Sequence, residues 1–386
     1  MEEREVRGAL LEILRASLNG AENSASVLKK IKPNILPAVF RLAKKQDLGQ
    51  VVATFLLGGE TGIEITEAFR ERLEKERLLA IYRCEQMRYA LAEISAALEE
   101  TGLDYIPLKG SELRAYYPYE SMRTSCDIDV LVRKSDLKSA VGALEDRGYT
   151  KTGSYFHDVW LYSPSKVHLE LHFSICENIE KLDAILDGAW EYAHSVGGHS
   201  YAFDGAFFIF YTYAHMSYHL LGSGSGIRSL LDIWVMEHRM NLPYTLAKEL
   251  LERAGIYKFA EEISALSEKC FGEKNDAVLD DPLLIYVLNG GTYGSSENGA
   301  AVQKARDKSR LRYFLKRIFL PYKDMKISYP VLRKLPILLP VLWVVRWVKA
   351  LFGGKRKGFV SEMKEFGKTS DEKIEEVKAL RSRLGM

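Results

Sequence analysis

Asp127 and Asp129 stand two residues apart in the otherwise apolar run Asp-Ile-Asp-Val-Leu-Val at 127–132. Aspartate is disfavoured in strands and costly to bury, so the pair needs a physical reason. Residues two apart on a strand share a face. The two carboxylates therefore point one way, and Ile128 and Val130 point into a core. Carboxylates that close repel unless neutralised, which a divalent cation does directly. An exposed edge strand would leave them in solvent instead. The run Val-His-Leu-Glu-Leu-His-Phe at 167–173 alternates in the same manner. Val167, Leu169, Leu171 and Phe173 form its apolar face, and His168, Glu170 and His172 its polar one. If this strand lies beside 127–132, Glu170 joins the aspartates. Three carboxylates on adjacent strands make a two-Mg²⁺ site suited to in-line phosphoryl or nucleotidyl transfer. Glu170 would complete the metal site, or orient or deprotonate an attacking hydroxyl, and His172 would flank it. For zinc, no third soft ligand stands at a useful spacing from His168 and His172.

Transfer from a nucleoside triphosphate also needs a phosphate cradle. Leu-Lys-Gly-Ser-Glu-Leu at 108–113 reads as a strand end, a turn at Gly110-Ser111 and a helix start. Backbone N–H groups in such a turn meet phosphate oxygens. Lys109 and Arg123 are the nearby cations. Farther along, His215 and His219 are four apart on a helical pattern, as are Arg228 and Asp232. Such pairs share a helix face. The histidines read as structural. Arg228 and Asp232 read either as an ion pair along one helix or as groups that touch substrate.

The ordered set Ile-Pro-Leu-Lys-Gly-Ser-Glu-Leu (106–113), Arg-Thr-Ser-Cys-Asp-Ile-Asp (123–129) and Leu-Glu-Leu-His (169–172) resembles the polymerase-β-like nucleotidyltransferases. More narrowly, it resembles a bacterial family of uncharacterised nucleotidyltransferases. The resemblance covers 104–173 closely and the following helices loosely. It implies metal carboxylates at Asp127, Asp129 and Glu170, and nucleotide contacts around Lys109, Gly110, Ser111 and Arg123. It also implies a helix bearing Arg228 and Asp232 packed against the nucleotide cleft. Fifteen residues separate Ser111 from Asp127, more than in most of the superfamily.

These groups need elements to hold them. Residues 2–100 read as helical, with a stripe at Leu10, Leu11, Leu14 and Leu18. A long helix over 64–100 has apolar positions at Phe69, Leu73, Leu79, Tyr82, Met87, Leu91, Ile94 and Leu98. Strands follow at 104–110, 127–132 and 166–173, with a helix over 135–149. Helical patterns return from 205, and the Gly/Ser/Asn-rich segment 289–300 reads as a loop. The expected fold is α+β, a small mixed-sheet nucleotidyltransferase core between helical regions. The expected divisions are an N-terminal helical region (1–101), the α/β core (102–204), a helical substrate-framing domain (205–288) and a basic C-terminal region (289–386).

Composition fits a globular chain with a sizeable core: 386 residues, 47% hydrophobic and 27% charged. The net charge of +2 hides an asymmetry, because residues 303–358 alone carry sixteen Lys/Arg against two Asp. That concentration suggests an anionic partner. Residues 331–357 contain Trp343, Trp347, Leu351 and Phe352 with Arg346, Lys349 and Lys355–Lys357. They suit a helix lying on an anionic membrane surface, or one packed on the protein's own core or in an oligomer interface. The longest charge-free run, 335–345, is too short to span a bilayer. Basic residues at 304–317 raise RNA as a further partner, although no RNA-binding motif is present. Four scattered cysteines and an acidic, amphipathic N-terminus fit a cytoplasmic protein, and the C-terminal stretch adds a peripheral place at the inner face of the membrane as the alternative. The expected function is Mg²⁺-dependent transfer of a nucleoside monophosphate from an NTP to a hydroxyl of a small molecule, glycan or protein. Its rival is a non-catalytic nucleotide-binding regulator or toxin–antitoxin type component.

Overall fold

The structure, a computed structural model, describes residues 2–20, 27, 29–58, 65–222, 224–272, 275–292, 294–306, 318–322, 325–326, 329–352 and 369–386. Four helices come first: α1 (Glu2–Asn19), α2 (Leu36–Lys45), α3 (Gly49–Leu57) and α4 (Glu67–Glu100). The leucine stripe of α1 is fully buried, as its spacing predicts. Strand β1 (Tyr105–Pro107), the short helix α5 (Gly110–Leu113), strand β2 (Asp127–Val132) and helix α6 (Leu137–Asp146) follow. A meander of β3 (Thr150–Ser154), β4 (Asp158–Tyr162) and β5 (His168–His172) comes next. After α7 (Glu180–Leu186) the hairpin β6 (Ala193–Gly197) and β7 (Ser200–Phe203) completes the sheet. The seven strands lie in the order β3-β4-β5-β2-β1-β7-β6, with β2–β5 and β1–β7 parallel and the remaining pairs antiparallel. This is an α+β fold with helical flanks.

Period-two alternation decides which sheet face is covered. Ile128, Val130 and Val132 of β2, Leu169 and Leu171 of β5, and Val159 and Leu161 of β4 share a core. They pack against Met87, Ala90, Ile94, Ala97 and Leu98 of α4 and Ala140 and Leu144 of α6. Asp127, Asp129, His168, Glu170 and His172 are left on the opposite face. The first half of α4 serves a different core. Phe69 and Leu73 join the cluster that also holds α1–α3 and the later helices. Between these two anchorages the spacing expected for α4 slips. Leu79 and Tyr82, read from sequence as buried, are exposed, and Ala80 and Cys84 are buried instead.

The second helical body comprises α8 (Gly205–Gly222), α9 (Ile227–Arg239), α10 (Lys248–Arg253), α11 (Tyr257–Phe271), α12 (Pro282–Gly290) and α13 (Ser296–Arg306). The segment 289–300 is therefore half helix rather than loop. Ser295 Oγ accepts from the Asn298 N–H at 3.1 Å and starts α13. Glycine serves close backbone packing here: a Cβ at Gly291, whose φ is +71°, would lie 3.1 Å from the Lys45 carbonyl oxygen, and two glycines of the facing segment are equally confined. A Cβ at Gly224, whose φ is +115°, would lie 3.2 Å from the Gly294 Cα, and one at Gly226 would lie 2.8 Å from the Thr292 Cα.

Helix α14 (Leu339–Phe352) spans the stretch read as interfacial, and α15 (Asp371–Arg383) returns Val377 and Leu380 to the large core. The tryptophans of α14 face inward. Trp343 Nε1 donates to the Leu320 carbonyl and Trp347 Nε1 to that of Ile318, both at 2.9 Å, and Phe319 stands edge-on to both rings. The outward face is aliphatic instead: Ile337, Val341, Val344 and Val348 are all exposed. Their spacing makes a single stripe. The side chains of Leu351 and Phe352, Lys355–Lys357 and the basic residues 307–317 lie outside the described residues. No helix among the described residues is long and apolar enough to cross a membrane.

Candidate active site

The parallel register of β2 and β5 sets Asp127 beside His168 and Asp129 beside Glu170. One donor atom each from Asp129, Glu170 and His172 lie within 4.8 Å of one another, and the same holds for Asp127, His168 and Glu170. Glu170 belongs to both groups and so links the two aspartates.

The three carboxyls are not electrostatically equivalent. Burial raises Asp127, and the neighbouring charge of Asp129 adds to this against the attraction of Lys109, His168 and Arg228. Burial also works upward on Asp129, but a hydrogen bond from His172 and the Lys109 charge outweigh it and hold that carboxyl well below its usual range. His172 Nε2 lies 3.1 Å from Asp129 Oδ1. Glu170 is pushed up to about 7, first by burial and then by Asp129. The cluster thus holds more negative charge than its own cations neutralise. Oxygen donors in that condition fit a hard divalent cation.

The Glu170 shift gives a measurable pH dependence. Its folded value lies above the unfolded 4.5. Its contribution to stability is therefore fully present below pH 4.5 and lost as pH rises to about 7. Metal-free Glu170→Gln lacks this loss, so its stability relative to wild type is expected to climb between pH 5 and 7 in urea titrations. A difference that stays flat across that range would remove the assignment.

Lys109 is held by unusual means. Its backbone sits at φ +40° and ψ −99°, a strained conformation for a residue with a Cβ. Its Nζ lies 3.1 Å from each ring nitrogen of His215 and over the Tyr211 ring. Burial and the Lys109 charge lower His215 well below its usual value, so the ring is neutral. His215 Nδ1 then donates to Glu177 Oε1 at 2.8 Å, and Nε2 is left to accept from Lys109. Burial acts to lower the Lys109 pKa, but Tyr211, Asp129 and Glu177 reverse this, and the ammonium faces Asp129 as a fixed positive charge.

Arg123 lies beneath the Lys109-Gly110 turn. A Cβ on Gly110 would meet Arg123 Nη1 at 2.7 Å, so glycine is needed there to admit the guanidinium. Arg123 is buried, with Nε and Nη2 donating to the two carboxylate oxygens of Asp232 at 3.1 and 2.9 Å. Tyr117 donates its hydroxyl to the same carboxylate at 2.6 Å. The structure therefore places Arg123 and Asp232 as the buttress of the turn. Arg228 does not pair with Asp232 along α9. It pairs with Asp47 and donates to the Thr124 carbonyl, while its charge reaches Asp127. The Ser111 amide is engaged with the Leu108 carbonyl at 3.2 Å.

Glu177 and Asp47 were invisible to sequence reasoning. Glu177 stands in the aperiodic segment after β5, and Asp47 in a turn between helices at φ +54°. Neither belongs to a motif or a face. From sequence Tyr211 reads as core or groove lining, with base stacking the alternative, and His215 as structural.

A family model described as uncharacterised nucleotidyltransferase matches residues 35–272. The match covers more than half of the chain, and the chain belongs to that family. It reaches well beyond 104–173 on both sides and takes in Asp47, Glu177 and α9. No curated protein and no solved structure matches the chain.

Proposed function

We propose, from that membership and the site geometry together, that the chain moves a nucleoside monophosphate from an NTP to a hydroxyl acceptor with Mg²⁺. The observation that carries the reading is the β2–β5 register, which sets Asp129 beside Glu170 on the sheet face opposite the core packed on α4 and α6. Asp127, Asp129 and Glu170 are the residues that would hold Mg²⁺. When bound, the ion polarises the transferred phosphoryl group and offsets its developing negative charge. The chain's own residues do the rest. Lys109 presents a cation to the phosphates from a strained turn, and Asp232, through Arg123, fixes that turn. Glu170 either completes that metal site or, left free of the ion, takes the proton of the attacking hydroxyl. A small molecule, a glycan or a protein side chain would serve as the acceptor.

The test is to incubate the protein with each of ATP, GTP, CTP and UTP, Mg²⁺ and hydroxylated acceptors. Mass spectrometry then reads nucleotidylated product, self-modification included, with Asp127→Asn as the control. Nucleotide binding with no product under any condition would favour the non-catalytic regulator.

The acceptor side of the proposal includes an anionic membrane surface. The aliphatic stripe Ile337, Val341, Val344 and Val348 is flanked by Arg333, Lys334 and Lys349. Apolar side chains bordered by cations suit a headgroup layer of negative charge. Removing the C-terminus would strip Val377 and Leu380 from the core. Point changes are therefore the cleaner probe. In liposome flotation the wild type is expected to rise with anionic vesicles but not with zwitterionic ones. The triple variant Val341→Glu, Val344→Glu, Val348→Glu is expected to stay at the bottom. Wild type that stays at the bottom with anionic vesicles would end the membrane assignment.

A further inference from the structure

Zinc found no third ligand in the primary sequence because the missing groups lie across a hairpin. The antiparallel register of β4 and β5 sets Asp158 directly beside His172. His157 immediately precedes β4, and its carbonyl accepts from the N–H groups of Phe173 and Ser174 at 2.9 and 3.3 Å, which ties the tip of the β3–β4 hairpin to the end of β5. The rings of His157 and His172 lie nearly parallel, 13° apart with centroids at 5.6 Å. One donor atom from each of His157, Asp158 and His172 lies within 4.8 Å of the other two.

Their hydrogen bonding is incomplete in a patterned way. Asp158 is 3% exposed and His172 7%. His157 Nδ1, Asp158 Oδ1 and His172 Nδ1 are each buried without a hydrogen-bond partner. Burying a polar atom without a partner is unfavourable, and three at one place call for a shared explanation. The other atoms are accounted for. His157 Nε2 is 3.4 Å from Asp158 Oδ2, and His172 Nε2 is engaged with Asp129.

We propose that His157, Asp158 and His172 form a binding site for a divalent transition metal, with zinc the best-suited ion, adjoining the carboxylate site through His172 but holding its own ion. Two imidazoles and one carboxylate form a donor set that zinc, manganese and iron accept and that magnesium, which favours oxygen, does not. The His157 side chain is 20% exposed, which leaves an approach from solvent. The site also acts on its neighbour. With Nδ1 of His172 committed to a metal, Nε2 must carry the proton and donate it to Asp129 Oδ1. Metal-bound imidazoles are held to carboxylates in this way in many proteins. His172 thereby positions Asp129 from behind.

The experiment uses the full chain without a histidine tag, loaded with Zn²⁺ and dialysed against excess Mg²⁺. Elemental analysis is expected to find about one Zn²⁺ per chain in wild type and in Asp127→Asn. His157→Ala is expected to retain none. His157→Cys, which restores a ligand, is expected to regain the metal and to show a thiolate-to-metal charge-transfer band when loaded with Co²⁺. Wild type that holds no zinc against Mg²⁺ would overturn the proposal, as would full retention by His157→Ala. Loss of zinc in Asp127→Asn would assign the ion to the carboxylates and overturn it equally. The readout is metal content, so it stands or falls apart from nucleotidyl transfer.

Discussion

Asp127→Asn is expected to abolish transfer while leaving the fold as stable as wild type or more so. Asparagine keeps the size and shape of the side chain but removes the charge that would grip Mg²⁺. The expected loss in rate is about a thousandfold or more, roughly 4 kcal/mol of barrier. The stability side follows from the local field. Burial and Asp129 already disfavour the Asp127 carboxylate, so a neutral group there relieves repulsion in the metal-free protein. Asp129→Asn is expected to lose as much activity but to behave oppositely in stability. The His172 hydrogen bond and the Lys109 charge favour the ionised form of Asp129, and removing its charge leaves both uncompensated. Product formation by mass spectrometry and urea midpoints for the two variants check the pair of claims. Wild-type transfer in either variant would refute the metal assignment. Equal stability changes in both would refute the account of the field.

Asp232→Ala carries the largest expected effect on stability. The Arg123–Asp232 pair is bidentate, and the two side chains are only 9% and 12% exposed. Deleting one partner of a buried pair leaves the other charged and unpaired, at a cost of about 3–5 kcal/mol. The Tyr117 hydroxyl loses its acceptor at the same time. The comparison is Arg228→Ala, which breaks a pair whose Asp47 side chain is 30% exposed, with a cost of about 1 kcal/mol or less. Urea denaturation followed by circular dichroism reads both. The Asp232 variant is expected to unfold at a much lower midpoint with an unchanged slope. An Asp232→Ala midpoint matching that of Arg228→Ala would show that the pair does not brace the structure. The buttress also explains why a helix outside the sheet matters to the site: without Asp232, the guanidinium beneath Gly110 loses both charged contacts and keeps its hydrogen bond to the Thr124 carbonyl.

Local signals carried part of this architecture. The alternation in 127–132 and 167–173 shows in sequence which side chains share a face, because a strand's period of two is a backbone property. The leucines of α1 are equally readable. What depends on distant pairing was not legible. Arg123 meets Asp232 across more than a hundred residues, Glu177 meets His215, and His157 with Asp158 reaches His172 only through the β4–β5 register. Strands β3, β4, β6 and β7 were missed because their short, mixed sequences lack an uninterrupted apolar alternation. The 289–300 segment misled for a physical reason: its glycines answer a need for close backbone approach, which composition cannot tell apart from a flexible loop.

Helix α4 is anchored by Phe69 and Leu73 in one core and by Met87 through Leu98 in the other. Its 34 residues form one continuous run of helix between the two cores. The carboxylate-bearing layer and the helices that brace it thus share one element, and a strain or ligand acting at one end of α4 bears on both.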